Sequence, residues 1–211
     1  MRVCEIFMSI QGESTLAGLP CAFVRLTGCN LRCAYCDTTY AYDGGSEMSM
    51  DEIVSKVMSF GASLVEVTGG EPMMQNETPA LLQALTARGL ATMIETNGSL
   101  DISAIPRSSW IIMDIKTPSS GMHEKMRLEN IAHLKPSDEI KLVISGRQDY
   151  EWARALISER GLAGICTVLL SPAFGVLPPR MLVEWMLQDG LNARLNLQLH
   201  KYIFGPEERG V

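Results

Sequence analysis

The chain has 211 residues, 46% of them hydrophobic and 20% charged, with a formal net charge of −6. That length and apolar share suit one domain, residues 1–211, with a sizeable core. The acidic balance disfavours non-specific binding to nucleic-acid phosphates and leaves small-molecule chemistry as the expectation. No apolar run reaches the roughly 18 residues of a membrane span. The start, Met1-Arg-Val-Cys-Glu-Ile-Phe7, lacks the apolar stretch and small-residue site of a secretory leader, so a cytoplasmic protein with no membrane or nucleic-acid partner is expected.

In chain order, an apolar run predicts a strand over Cys21 to Leu26, and a loop with three cysteines follows it directly. Ser49-Met-Asp-Glu52 is a capping box that opens an amphipathic helix through Phe60. Leu64 to Val67 reads as a strand. Thr78 is the expected cap of a second helix, with Pro79 at its first position and Gly89 just past its end. Strands are expected at Ala91–Ile94, Trp110–Ile115, Ile140–Ile144, Cys166–Leu170 and Arg194–Leu199. Helices are expected at Tyr150–Arg160, ending at Gly161, and Pro179–Gln188, stopped near Gly190.

Strands alternating with helices predict an α/β fold with right-handed crossovers and a parallel sheet. The gap between Ile94 and Trp110 is too short for a full helix. The expected architecture is therefore an abbreviated, partial (β/α) barrel with about six parallel strands. Its active site belongs at the C-terminal strand ends, where the cysteine loop, Thr68-Gly-Gly-Glu-Pro72 and Glu95-Thr-Asn-Gly98 all fall.

Of six cysteines, Cys4, Cys21 and Cys166 lie in apolar, strand-like runs and read as small buried hydrophobes. The other three form Gly28-Cys-Asn-Leu-Arg-Cys-Ala-Tyr-Cys-Asp-Thr38, a C-x3-C-x2-C spacing of Cys29, Cys33 and Cys36. A cluster of this kind in a cytoplasmic chain points to metal or redox chemistry. Structural zinc wants four closed ligands, and His123, His133 and His200 form no ligand-like pair, so zinc would need a distant fourth ligand. Electron-transfer iron–sulfur clusters also take four cysteines. A cubane cluster held by three leaves one iron open to a small molecule.

The spacing, with aromatic Tyr35 before the last cysteine, resembles the radical S-adenosylmethionine (SAM) superfamily. The resemblance implies a [4Fe-4S] cluster on Cys29, Cys33 and Cys36 whose open iron is chelated by SAM. It further implies reductive SAM cleavage to a 5′-deoxyadenosyl radical that abstracts hydrogen from substrate, with Tyr35 near the adenine. Thr68-Gly69-Gly70-Glu71-Pro72 could alone be a glycine turn after a strand. Beside the cysteines it looks like the superfamily's GGEP motif, in which Gly70 lets backbone approach the SAM amino group.

Ile10-Gln-Gly-Glu13, Phe23-Val-Arg-Leu-Thr-Gly-Cys29, Asp37-Thr38, Glu95-Thr-Asn-Gly98 and His200-Lys-Tyr202 together resemble the 7-carboxy-7-deazaguanine synthase family over almost the whole chain. That family implies a lyase of queuosine and deazapurine biosynthesis. It contracts the ring of 6-carboxy-5,6,7,8-tetrahydropterin with loss of ammonia, regenerates SAM and is assisted by Mg2+. The resemblance assigns substrate binding to Ile10, Gln11, Gly12, Arg25, Thr68 and Pro206, and Mg2+ to Thr38. It assigns SAM contacts to Tyr35, Cys36, Asp37, Gly70, Asp114, Ile115, Lys116, Ser171, Pro172, Ala173 and Phe174. Asp114, Ile115 and Ser171–Phe174 depart from the family's usual residues, so backbone carries more of that assignment than side chain.

The guanidinium of Arg25 suits a substrate carboxylate, the bland alternative being a surface arginine on a strand. Thr38 suits a hard cation that keeps its waters, and Asp37 alone could be a turn cap. Pro206 aligns with a position that is the terminal residue in some members, but five residues follow it here. Glu13, Glu95, Asn97 and His200 read equally as site lining or as loop hydrogen-bonding groups. The thirteen methionines read as core filler. A glycyl-radical-enzyme activating enzyme, or a non-enzymatic iron–sulfur or zinc module, are the competing readings. The resemblance also implies an electron donor such as flavodoxin or ferredoxin and a homodimer.

Overall fold

Nine strands pair into one sheet in a computed structural model that describes all residues, Met1–Val211. They are β1 (Arg2–Ile10), β2 (Pro20–Leu26), β3 (Ser46–Glu47), β4 (Leu64–Gly69), β5 (Ala91–Thr96), β6 (Trp110–Asp114), β7 (Glu139–Ile144), β8 (Thr167–Pro172) and β9 (Arg194–Leu195). The order is β3-β1-β2-β4-β5-β6-β7-β8-β9. From β2 to β9 every pairing is parallel. The helices are α1 (Met50–Ser59), α2 (Thr78–Ala87), α3 (Arg147–Arg160), α4 (Pro179–Asp189) and α5 (Leu199–Ile203). The sheet stays open, bounded by the two-residue strands β3 and β9, so the barrel is partial as expected.

The sequence expectation missed the N-terminal edge. β1 pairs antiparallel with β2, and β3 pairs antiparallel with β1, which adds a meander to a parallel sheet. Arg194–Leu199 alternates apolar and polar residues like a strand, but only Arg194 and Leu195 pair, and Leu199 already begins α5. The β5–β6 connection has no helix, as its length demanded, and three 3-10 turns replace the helix between β6 and β7. Cys21 and Cys166 are buried as expected, whereas Cys4 is only partly covered.

Local chemistry sets the helix ends. Ser49 Oγ accepts from Glu52 N, and Glu52 Oε2 accepts from Ser49 N at 2.7 Å, closing the capping box of α1. Such a cap contributes about 1 kcal/mol. Thr78 opens α2 without capping it; its hydroxyl donates instead to the Pro72 carbonyl at 2.6 Å. Gly161 and Gly190 end α3 and α4 in the left-handed conformation.

The period of two along each strand sorts the core. Val65 and Val67 of β4 point toward the helices and join the main core with Ile53, Val57, Leu81 and Leu85. Leu64 faces the other way, into a small apolar floor with Cys21, Phe23, Met93 and Ile112. The next residues on that inner face are polar, and the site begins there.

Candidate active site

Two residues beyond the apolar floor, each strand turns a polar group inward: Arg25 after Phe23, Glu66 and Thr68 after Leu64, Glu95 after Met93, Asp114 after Ile112. Lys141 of β7 and Ser171 of β8 complete the layer. These side chains line a cavity of about 530 Å³, within the size range of small-molecule sites. The cysteine loop, the β1–β2 loop and the C-terminal segment form its rim.

The loop after β2 brings Cys29, Cys33 and Cys36 to one side of this cavity, all half-buried and free of disulfides. No three histidine, cysteine or carboxylate side chains converge on one point, as a mononuclear metal would require. The three cysteines nonetheless line the same cavity. That arrangement fits a cluster whose separate irons each take one thiolate. Burial raises the Cys29 and Cys33 thiols above their ordinary pKa, so iron rather than solvent would draw off their protons. Asn97 Nδ2 reaches Cys29 Sγ at 3.9 Å and Asn30 Oδ1 at 3.2 Å, tying the β5 loop to the cysteine loop.

The Gly69-Gly70 turn packs directly beneath this loop. Gly69 has φ +152°, and Gly70 leaves no space for a side chain: a Cβ there would fall 2.1 Å from the Gly28 carbonyl oxygen and 2.8 Å from Cys29 Cβ. Glu71, fully buried, accepts from Thr96 Oγ1 at 2.8 Å and Asn97 N at 2.6 Å, locking the two loops together. Tyr35 Oη lies 3.4 Å from Thr117 Oγ1, which holds its ring beside the end of β6.

Charge is concentrated around Lys141. Its Nζ contacts Glu13 Oε2 at 2.8 Å, Glu95 and Asp114 Oδ2 at 3.3 Å. Burial opposes its charge, but the three carboxylates hold its pKa well above the usual lysine value. Burial also opposes ionisation of Glu13, yet Lys141 keeps that carboxyl below its ordinary range. Asp114 is shared with Lys116 at 2.9 Å. Glu66 is different. Burial first, then the charges of Glu95 and Glu13, push its carboxyl well above the usual range.

The residues expected to bind substrate meet in the same cavity: Ile10, Gln11, Gly12, Arg25, Thr68 and Pro206 all line it. Gln11 Oε1 accepts from Glu13 N at 2.7 Å, which turns the Gln11 amide nitrogen onto Glu66. Arg25 Nε donates to Glu5 Oε1 at 2.7 Å, and Tyr40 Oη donates to the same oxygen at 3.0 Å. The terminal nitrogens of Arg25 remain for a ligand. Gly12 lies against His200, whose Nδ1 a Cβ would meet at 2.1 Å, and its carbonyl accepts from Leu199 N at 2.8 Å. Lys201 of α5 pairs with Asp37, pinning the C-terminal segment onto the cysteine loop.

Tyr35, Cys36, Asp37, Thr38, Gly70, Asp114, Lys116 and Ser171–Phe174 also line the cavity. Ile115 does not: its side chain is buried in the main core on the opposite face, and its N–H donates to the Lys141 carbonyl at 2.8 Å. Sequence reasoning missed Glu66 and Lys141. The available signal was one charged residue inside each apolar strand, Leu-Val-Glu-Val and Glu-Ile-Lys-Leu-Val-Ile, on the inward phase of the alternation.

Comparison with known proteins agrees with this geometry. Residues 23–135 match the family described as the Radical SAM superfamily. The chain is 48% identical to a 7-carboxy-7-deazaguanine synthase of Chlorobaculum tepidum, over 100% of the chain and 97% of that protein. It is 44% identical to a protein of the same name from Koribacter versatilis, over the full length of both. The crystal structure of QueE from Escherichia coli shares the fold, with a TM-score of 0.78 and 23% identity over 94% of each chain.

Proposed function

The chain belongs to the radical SAM superfamily and, within it, to the 7-carboxy-7-deazaguanine synthases; from that membership we propose how its cavity turns 6-carboxy-5,6,7,8-tetrahydropterin into 7-carboxy-7-deazaguanine with loss of ammonia. The enzyme is a radical SAM lyase of the queuosine pathway. The cluster and SAM, when bound, would supply hydrogen-atom abstraction, and the protein supplies position, charge and exclusion of water.

Cys29, Cys33 and Cys36 would hold the [4Fe-4S] cluster, which with only three protein thiolates would leave room for SAM. Gly70 brings backbone to the SAM amino group, and Tyr35 and the Ser171–Phe174 segment border the rest of the molecule. Arg25, steadied by Glu5 and Tyr40, turns its free guanidinium nitrogens to the substrate carboxylate. Ile10, Gln11, Gly12 and Thr68 frame the pterin ring, with Pro206 at the rim. Thr38 donates to Asp37 Oδ1 at 3.0 Å and keeps its lone pairs for Mg2+; Asp37 is already committed to Lys201. Such a site, with one protein oxygen and the rest from water and substrate, suits that ion.

The observation that carries this reading is that the three cysteines, Arg25 and Thr38 all line one cavity. Glycyl-radical activation is not favoured, because the full-length relatives are synthases. The electron comes from a flavodoxin- or ferredoxin-type donor, and the working unit is a homodimer. Six free thiols suit the reducing cytoplasm. Anaerobically reconstituted protein given SAM, Mg2+, reductant and carboxytetrahydropterin should release ammonia and 7-carboxy-7-deazaguanine without net loss of SAM. Unchanged pterin in the presence of an intact cluster would refute the assignment.

A further inference from the structure

Glu66 is the one buried carboxyl group of the cavity that forms no ion pair. It is 2% exposed, on the inner face of β4. Lys141 is taken up by Glu13, Glu95 and Asp114, and Arg25 by Glu5. The single protein partner of the Glu66 side chain is Gln11 Nε2, which donates to Oε2. Oε1 faces the cavity without a partner. A carboxyl oxygen that is reached from the cavity and has no protein partner can take a donor from a ligand.

Its surroundings say what kind of ligand. Glu66 is in register with Phe23 on β2, and Phe23 stacks on Phe7 with ring centroids 5.0 Å apart and planes 11° from parallel. Both rings line the cavity, which places an apolar, flat wall beside an acceptor edge. A tetrahydropterin matches that pairing: it is a flat-faced heterocycle with N–H donors at N3, N5, N8 and the 2-amino group. Glu13, Glu95 and Asp114 are all drawn into the ion-pair group of Lys141, and although Asp114 Oδ1 also lacks a partner, Glu66 is the carboxyl group of the layer that no lysine or arginine pairs with.

We propose that Glu66 is a specificity-determining residue, its carboxyl group held by Gln11 through one oxygen and receiving a ring N–H of the bound tetrahydropterin through the other. This rests on the family activity given above and deepens it. A carboxyl group that served only to brace Gln11 would affect the β1–β2 loop without reading the heterocycle.

The test compares wild type with Glu66→Val and the isosteric Glu66→Gln, each reconstituted with its cluster. Glu66→Val should raise KM for carboxytetrahydropterin about tenfold, the scale of one lost buried hydrogen bond. Glu66→Gln, which keeps the size and one acceptor oxygen, should raise it about threefold. Iron content, SAM affinity and substrate-independent SAM cleavage should stay at wild-type levels in both. If Glu66→Val does not assemble, Glu66→Gln alone decides. A KM within twofold of wild type, or a parallel loss of SAM affinity, overturns the role of Glu66 while leaving the family activity standing. A wild type that leaves carboxytetrahydropterin unchanged overturns both.

Discussion

Lys141 Nζ stands 2.8 Å from Glu13 Oε2, joining the middle of β7 to the loop between β1 and β2 across the cavity. One ammonium thereby organises three carboxylates carried by the β1–β2 loop, β5 and β6. Both partners are largely shielded from water, with Lys141 6% and Glu13 16% exposed, so the contact is not screened like a surface pair. Removing the cation strands the carboxylates, and breaking such a buried pair costs about 3–5 kcal/mol. Lys141→Met should therefore lower the thermal midpoint and abolish turnover. A variant as stable as wild type would show that water already compensates these charges.

The cysteines separate cofactor assembly from folding. Cys29, Cys33 and Cys36 sit in a loop outside the apolar core, so Ala at any one should leave the chain folded. Each should fail to assemble the cluster and to cleave SAM, read from iron content and visible absorbance. Cys166→Ala, in the core beside β8, should keep its cluster and lose only packing, about 1 kcal/mol for one small side chain. Wild-type activity in Cys33→Ala would remove the ligand assignment.

Motifs that depend on local spacing were legible in the sequence. Cys29, Cys33 and Cys36 lie within eight residues, and Gly69-Gly70 follows a strand directly, so neither needs tertiary information. Arg25, Thr38 and Thr68 were legible through the wider resemblance. Glu66 and Lys141 were not, because a lone charge in an apolar strand is silent until the register shows which face it occupies. α5 was misread for a related reason. Arg194–Leu199 has a strand's alternation, but Asn196 spends its side chain on Ser171 at 2.8 Å, and the ladder stops at Leu195. Pairing, not pattern, decided its length.

Gly70 gives a steric prediction. Its φ is ordinary, so alanine faces no backbone strain there; the obstacle is the 2.1 Å approach to the Gly28 carbonyl. Backbone on both sides prevents relief by side-chain rotation. Gly70→Ala should push the Gly-Gly turn away from the cysteine loop, lowering SAM affinity at least about tenfold, a change near 1.4 kcal/mol. Gly89→Ala is a suitable contrast, since a Cβ there meets nothing within 4 Å although its φ of +85° carries conformational strain. Its stability should fall while SAM affinity holds. Equilibrium SAM binding on reconstituted proteins distinguishes the two.

Glu66 and Glu13 should give pH dependences of opposite sign. The Glu66 carboxyl has a raised folded-state pKa. Its contribution to stability is complete below the unfolded value, about 4.3, and is lost as pH rises through the folded value. Glu13 has a lowered pKa, so its contribution is present above the unfolded value and lost as pH falls through the folded one. Glu66→Gln removes a group that resists ionising, so its thermal midpoint relative to wild type should climb as pH rises above about 4.3. Glu13→Gln removes a group that Lys141 holds ionised, so its deficit should be full at neutral pH and shrink only as pH falls below about 4.3. Because both residues face the same cavity, parallel curves for the two variants would mean that net charge alone, and not the Lys141 pairing, sets the pattern.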